Sequence, residues 1–140
     1  MPGTESYFVD TWFWLSLLSK KESSHADAVR IMKEIGKQRL VTSHMVFDEL
    51  LGRLVKDDVL HLRKIAVELI ESLHLEATVS IIQQTPEQFN QALDRYKKYH
   101  DKAWSLTDCA SMIIAQNMNI STVLTNDHHF EQASLNIRNS

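Results

Sequence analysis

Short runs of β-branched and aromatic residues alternate with longer stretches of helical periodicity, and this alternation constrains the fold more than any other feature of the chain. Tyr7-Phe8-Val9, Leu40-Val41-Thr42, Val79-Ser80-Ile81-Ile82 and Thr122-Val123-Leu124-Thr125 read as buried strands, and Leu135-Asn136-Ile137 as a fifth strand at an edge. They are nearly continuous apolar runs rather than strict alternations, as expected of strands with both faces covered. Strand–helix alternation of this kind predicts an α/β fold with a parallel sheet between helices.

The intervening segments carry their own start and stop signals. Trp12, Phe13, Leu15, Leu17 and Leu18 continue the first strand as an apolar helix. Ser24 is positioned to cap a helix whose inner face is Ala28, Val29, Met32 and Ile35, and Gly36 to end it. Ser43 precedes a helix with Phe47, Leu50, Leu51 and Leu54 at i, i+3, i+4 and i+7. Asp57 or Asp58 opens the next, with Leu62, Ile65, Ala66, Leu69, Ile70 and Leu73 inward. Thr85, Pro86 and Gln88 form a cap, a first-turn proline and a capping box, before an inner face of Phe89, Ala92, Leu93 and Tyr96. With two prolines and three glycines in 140 residues, long irregular loops are not expected.

Residues 1–140 are expected to form a single domain with a sizeable core, since 44% of the chain is hydrophobic and 24% charged. A net charge of −3 does not announce a nucleic-acid binder, but a local basic rim can coexist with it. The one cysteine, Cys109, excludes an intramolecular disulfide and fits a reducing cytoplasm; it reads as a small buried residue. The N-terminal segment lacks the basic and apolar regions of a signal peptide, and the apolar stretch around Trp12 is too short to span a membrane.

Four acids fall where a parallel sheet collects ligands, outside the carboxyl ends of its strands. Asp10 follows the first strand, and Asp127 lies two residues past the fourth. Glu49 lies in the helix after the second strand, and Asp108 in the first turn of the helix that Ser105 starts. Each has an ordinary alternative. Asp10 and Asp127 suit turns, Glu49 can pair with Arg53, and Asp108 completes a capping box with Ser105. Gathered together, however, carboxylates repel, and such a group at a pocket calls for a divalent cation. Oxygen ligands favour Mg²⁺ or Mn²⁺, and such ions polarise a phosphoryl group and activate water against it.

The segments FVDT, SHMVFDEL, WSLTDCAS and VLTNDHHF, in this order, resemble the PIN-domain ribonucleases of the VapC toxin type. The resemblance runs from the first strand to about Phe130. It implies a three-layer α/β/α fold with a parallel sheet of four or five strands, and Mg²⁺- or Mn²⁺-dependent endonucleolytic cleavage of RNA. It assigns Asp10, Glu49, Asp108 and Asp127 as the catalytic, metal-holding acids, with Thr11, Thr125 and Asp101 supporting them. A cognate antitoxin and a homodimer are the expected protein partners, the cytoplasm the expected compartment. Asp48 lies about 100° round the helix from Glu49, so the two are not expected in one site. A departure is the Asn126, His128 and His129 that flank the fourth acid. A phosphatase of the haloacid dehalogenase kind would need a second Asp where Trp12 stands.

Other residues invite weaker readings. His128 and His129 could bind metal or contact a phosphate, although adjacent loop histidines are more often solvated; His44 and His100 read as solvated too. Arg53, Lys56, Lys97, Lys98 and Lys102, extended by Lys20 and Lys21, could form a basic rim for RNA. Among Trp12, Phe13 and Trp14 the default is core packing, with room for one at a dimer interface. Two rival functions remain at this level: a non-catalytic module with idle acids, and a processing nuclease without an antitoxin.

Overall fold

The computed structural model of the protein describes residues 5–56 and 60–140, with the side chains of all these but Lys56 and Leu60. Five strands form one sheet: β1 (Ser6–Val9), β2 (Arg39–Ser43), β3 (Val79–Ile82), β4 (Thr122–Leu124) and β5 (Asn136–Arg138). Their order is β3-β2-β1-β4-β5, and every neighbouring pair is parallel. Seven helices connect them among the described residues: α1 (Thr11–Leu18), α2 (His25–Ile35), α3 (His44–Lys56), α4 (Leu60–Leu75), α5 (Pro86–Lys98), α6 (Leu106–Asn117) and α7 (His129–Gln132).

From β1 the chain moves outward to β2 and β3, then crosses back to β4 and continues to β5. Right-handed crossovers therefore put α1 to α4 on one face and α5 to α7 on the other. The packing agrees, since α1 meets α2, α3 and α4 while α6 meets α5 and α7, with α3 also reaching α6. This is the three-layer α/β/α arrangement expected. The direction of winding reverses between β1 and β4, so the crevice at their carboxyl ends is the switch point where such sheets bind ligands.

Central strands make the core. Phe8, Val9, Val41, Val123 and Leu124 are fully buried, and Phe13, Trp14, Leu50, Met112 and Phe130 close over them. Trp14 is held by more than packing, because its Nε1–H donates to Thr42 Oγ1 at 3.3 Å, and that hydroxyl donates to the Val9 carbonyl at 3.0 Å. Trp12 is only half-buried. No helix among the described residues is long and apolar enough to cross a membrane.

Local signals hold at most helix ends. Thr85 and Gln88 make the capping box on α5, Ser43 Oγ accepts from the Val46 N–H, and Gly36 ends α2 at φ 61°, a conformation open to glycine. Ser24 stands at the start of α2 without capping it, since its hydroxyl pairs instead with Ser16 Oγ at 2.6 Å. The helix start expected at Asp57 or Asp58 lies outside the described residues.

Inner faces depart further from expectation. On α5 only Ala92 is buried; Phe89, Leu93 and Tyr96 are exposed, as is Ile65 on α4. Helix α5 packs on α6 and α4 on α3 and β3, and among the described residues no further layer covers the second half of either apolar stripe. In α2 the buried position missed by periodicity is Ile31. Strand β3 forms an edge like β5, which leaves both half-buried. The short α7 has too few residues to show a periodicity.

Candidate metal centre

Strand register brings the two ends of the chain together. Val9 of β1 pairs with Leu124 of β4, so the next residues, Asp10 and Thr125, leave the sheet side by side. The Asp10 N–H donates to the Leu124 carbonyl at 3.2 Å. Thr125 Oγ1 donates to Asp10 Oδ2 at 2.8 Å and accepts the Asp127 N–H at 3.1 Å. One hydroxyl thus fixes one acid directly and the backbone of the other.

Asp108 reaches the same crevice from the first turn of α6. Its Oδ2 accepts the Ser105 N–H and its own N–H donates to Ser105 Oγ, both at 3.0 Å. The capping box and the site reading therefore hold for the same carboxyl: the cap sets its rotamer, and the positive helix end favours its charge. Asp127 Oδ1 accepts the His129 N–H at 2.9 Å. The His129 ring closes the group, with Nδ1 at 3.0 Å from Asp127 Oδ1 and 3.3 Å from Asp108 Oδ2. Among the described residues, Asp108, Asp127 and His129 each offer a ligand atom, all within 4.8 Å of one another.

Glu49 stands further out. Its carboxylate pairs with Arg53 at 3.6 Å, and it is half-buried where Asp48 is exposed. Both it and Asp108 still lie near enough to Asp10 to repel its charge, and the packing of α3 on α6 brings their helices together.

Electrostatics bind the four acids into one system. Burial raises the Asp10 carboxyl from 3.8 to about 7, opposed by hydrogen bonds from the Thr11 backbone and Thr125 and reinforced by Asp108 and Glu49. Burial likewise raises Asp108, with hydrogen bonding from Ser105 and His129 opposing and Asp127 adding to the rise. Buried carboxyls raised in this way are those that a bound cation would hold ionised. The donor set, carboxylate oxygens with one imidazole, fits a divalent cation.

The supporting residues divide. Thr125 touches Asp10, whereas the Thr11 hydroxyl donates to the Val46 carbonyl at 3.5 Å and only its backbone serves Asp10. Asp101 is exposed and pairs with Lys102 at 3.8 Å, so it does not join the acids. Of the basic candidates, Arg53 is engaged by Glu49, while Lys97 and Lys98 are exposed and Lys98 Nζ lies 5.4 Å over the Tyr99 ring. The Lys56 side chain lies outside the described ones. His44 and His100 are solvated, and His128 is exposed and pairs with Glu131. Sequence alone does not separate His129 from His128; the one signal for His129 is its position two residues after the fourth acid.

The PIN domain family model matches residues 7–135. No curated protein sequence matches the chain. Among solved structures, VapC20 of Mycobacterium tuberculosis, described as a toxin that cleaves the sarcin–ricin loop, aligns with TM-score 0.81 at 21% identity, over 92% of this chain and 95% of its own. FitAcB from Neisseria gonorrhoeae aligns with TM-score 0.67 at 19% identity, over 95% and 96%. VapBC2 from Rickettsia felis, bound to a DNA fragment from its promoter, aligns with TM-score 0.64 at 14% identity, over 95% and 97%. At these identities the likeness is one of fold.

Proposed function

The chain belongs to the PIN domain family, and we propose that it is a metal-dependent endoribonuclease, the toxin of a toxin–antitoxin pair. The observation that carries this reading is the convergence of Asp10, Asp108 and Asp127, with Glu49 nearby, at the switch point of the sheet, two of them buried with raised proton affinity. The likeness to VapC20, a toxin that cleaves the sarcin–ricin loop, supports the toxin and RNA parts.

Asp10, Glu49, Asp108 and Asp127 would hold one or two Mg²⁺ or Mn²⁺ ions. When bound, the cation supplies charge for the phosphoryl oxygens and acidifies the attacking water. The chain's own work is positional. Thr125 orients Asp10, Ser105 orients Asp108, and the crevice between β1 and β4 fixes where a phosphodiester can sit. No side chain serves as a nucleophile. Lys97, Lys98 and Lys102 are the proposed partners of the RNA backbone.

RNA as substrate puts the proposed work in the cytoplasm. A groove of about 490 Å³ with Leu15, Leu18, Leu62 and Ile65 on its apolar side and Lys20, Lys21 and Glu22 at its polar side is the proposed seat of the antitoxin. The exposed Phe89, Leu93 and Tyr96 of α5 are the proposed interface of a homodimer.

The test is cleavage of a mixed RNA pool by purified protein in Mg²⁺, Mn²⁺ or EDTA, beside Asp10→Asn. Cutting should require metal and vanish in the variant. A variant that cuts at the wild-type rate would overturn the assignment of the acids.

A further inference from the structure

We infer that His129 is itself a metal ligand, and that its ring nitrogen makes the site select Mn²⁺ over Mg²⁺. The inference rests on reading the acids as a metal centre and adds a residue and an ion preference to it. His129 Nδ1 lies 3.0 Å from Asp127 Oδ1 and 3.3 Å from Asp108 Oδ2. Neighbouring ligands of an octahedral ion with bonds of about 2.1 Å stand about 3 Å apart, so these donors already have the spacing of one coordination edge. The same distances suit hydrogen bonds from the ring to the two carboxylates when no cation is bound, so the ring is already placed where a cation would take over its nitrogen.

The backbone keeps the ring there. The His129 N–H is tied to Asp127 Oδ1 at 2.9 Å, and the next side chain, Phe130, is fully buried. His128, the residue just before α7, provides the contrast: its side chain is 77% exposed and turns to Glu131. Burial therefore divides two adjacent histidines into one inside the acid group and one outside.

Donor chemistry gives the selectivity. Mg²⁺ holds to oxygen donors and its own waters, whereas Mn²⁺, the weakest imidazole binder of the first-row transition ions, still accepts one nitrogen donor among carboxylates more readily than Mg²⁺ does. A site of two carboxylates and one imidazole loses little with Mn²⁺ and more with Mg²⁺. Asp10 lies outside the group of three within 4.8 Å and is linked to Asp127 through the Thr125 hydroxyl.

Pulsed electron paramagnetic resonance of bound Mn²⁺, with calorimetric titration of Mn²⁺ and Mg²⁺, tests this on wild type, His129→Gln, His128→Gln and Asp108→Asn. Imidazole nitrogen coupling should appear in wild type and His128→Gln and be absent from His129→Gln. Mn²⁺ affinity should fall at least about tenfold in His129→Gln, with Mg²⁺ affinity changing less than about threefold. Coupling that survives in His129→Gln, or equal losses for both ions, overturns the inference. If Asp108→Asn loses Mn²⁺ while His129→Gln keeps it, this inference fails alone. If wild type binds no Mn²⁺, or Asp108→Asn binds as well as wild type, the metal-centre reading fails with it. Should His129→Gln not fold, nitrogen coupling lacking in wild type and His128→Gln would overturn the inference, and its presence there would uphold it.

Discussion

Replacing Asp10 by Asn should stabilise the metal-free protein, and by an amount that depends on pH. The carboxyl titrates at about 7 in the folded chain against 3.8 for an ordinary aspartate, chiefly because it is buried. At about 1.36 kcal/mol for each tenfold change in proton affinity, ionising it costs the folded state about 4 kcal/mol. Because the folded value is raised, the stability it contributes is complete below 3.8 and is lost as pH climbs towards about 7. Above that the loss is constant. Asn carries no charge and keeps an oxygen to accept the Thr125 hydroxyl. The two proteins should therefore match near pH 4, and Asp10→Asn should be more stable by about 4 kcal/mol at pH 8. Urea unfolding in EDTA at a series of pH values reads this gap directly. Because Asp108 is raised too, Asp10→Asn should keep a weaker slope of the same sign. Saturating Mn²⁺ at pH 8 should narrow or reverse the gap, since a ligand of the native state stabilises only the protein that binds it. A gap that is absent, or equal at pH 4 and pH 8, would refute the claim that Asp10 is held desolvated among carboxylates.

Two further outcomes follow from the same geometry. Thr125→Val keeps shape but removes the donor to Asp10 and the acceptor of the Asp127 N–H; it should cost about 1–3 kcal/mol in urea unfolding at pH 8 and weaken Mn²⁺ binding, and unchanged values for both would remove Thr125 from the site. Charge reversal of Lys97, Lys98 and Lys102 should lower RNA affinity and flatten its salt dependence by about 0.7 in log–log slope for each phosphate that is no longer neutralised, and an unchanged slope would take these lysines out of the RNA surface.

Most elements and helix ends were legible in the sequence, because those depend on neighbours within a few residues; the uncapped start of α2 and the four-residue α7 were not. Alternation of strands and helices gave the parallel sheet, Thr85 with Gln88 and Ser105 with Asp108 gave the capping boxes, and glycine at 36 gave a helix stop. Position after a strand or at a helix start was enough to nominate Asp10, Asp108 and Asp127, whereas Glu49, inside its helix, is set apart from Asp48 by the family resemblance. Which stripe of each helix is covered came from packing between elements: Phe89, Leu93 and Tyr96 have the spacing of a core face yet stay exposed, because periodicity describes one helix and burial requires a second surface. Only strand order put Thr125 against Asp10, residues 115 positions apart whose hydrogen bond exists because β1 and β4 are neighbours. The same reason separates His129 from His128. Their letters are identical and they are adjacent at the start of α7, and the difference lies in what each ring meets: Asp108 and Asp127 for His129, Glu131 and solvent for His128.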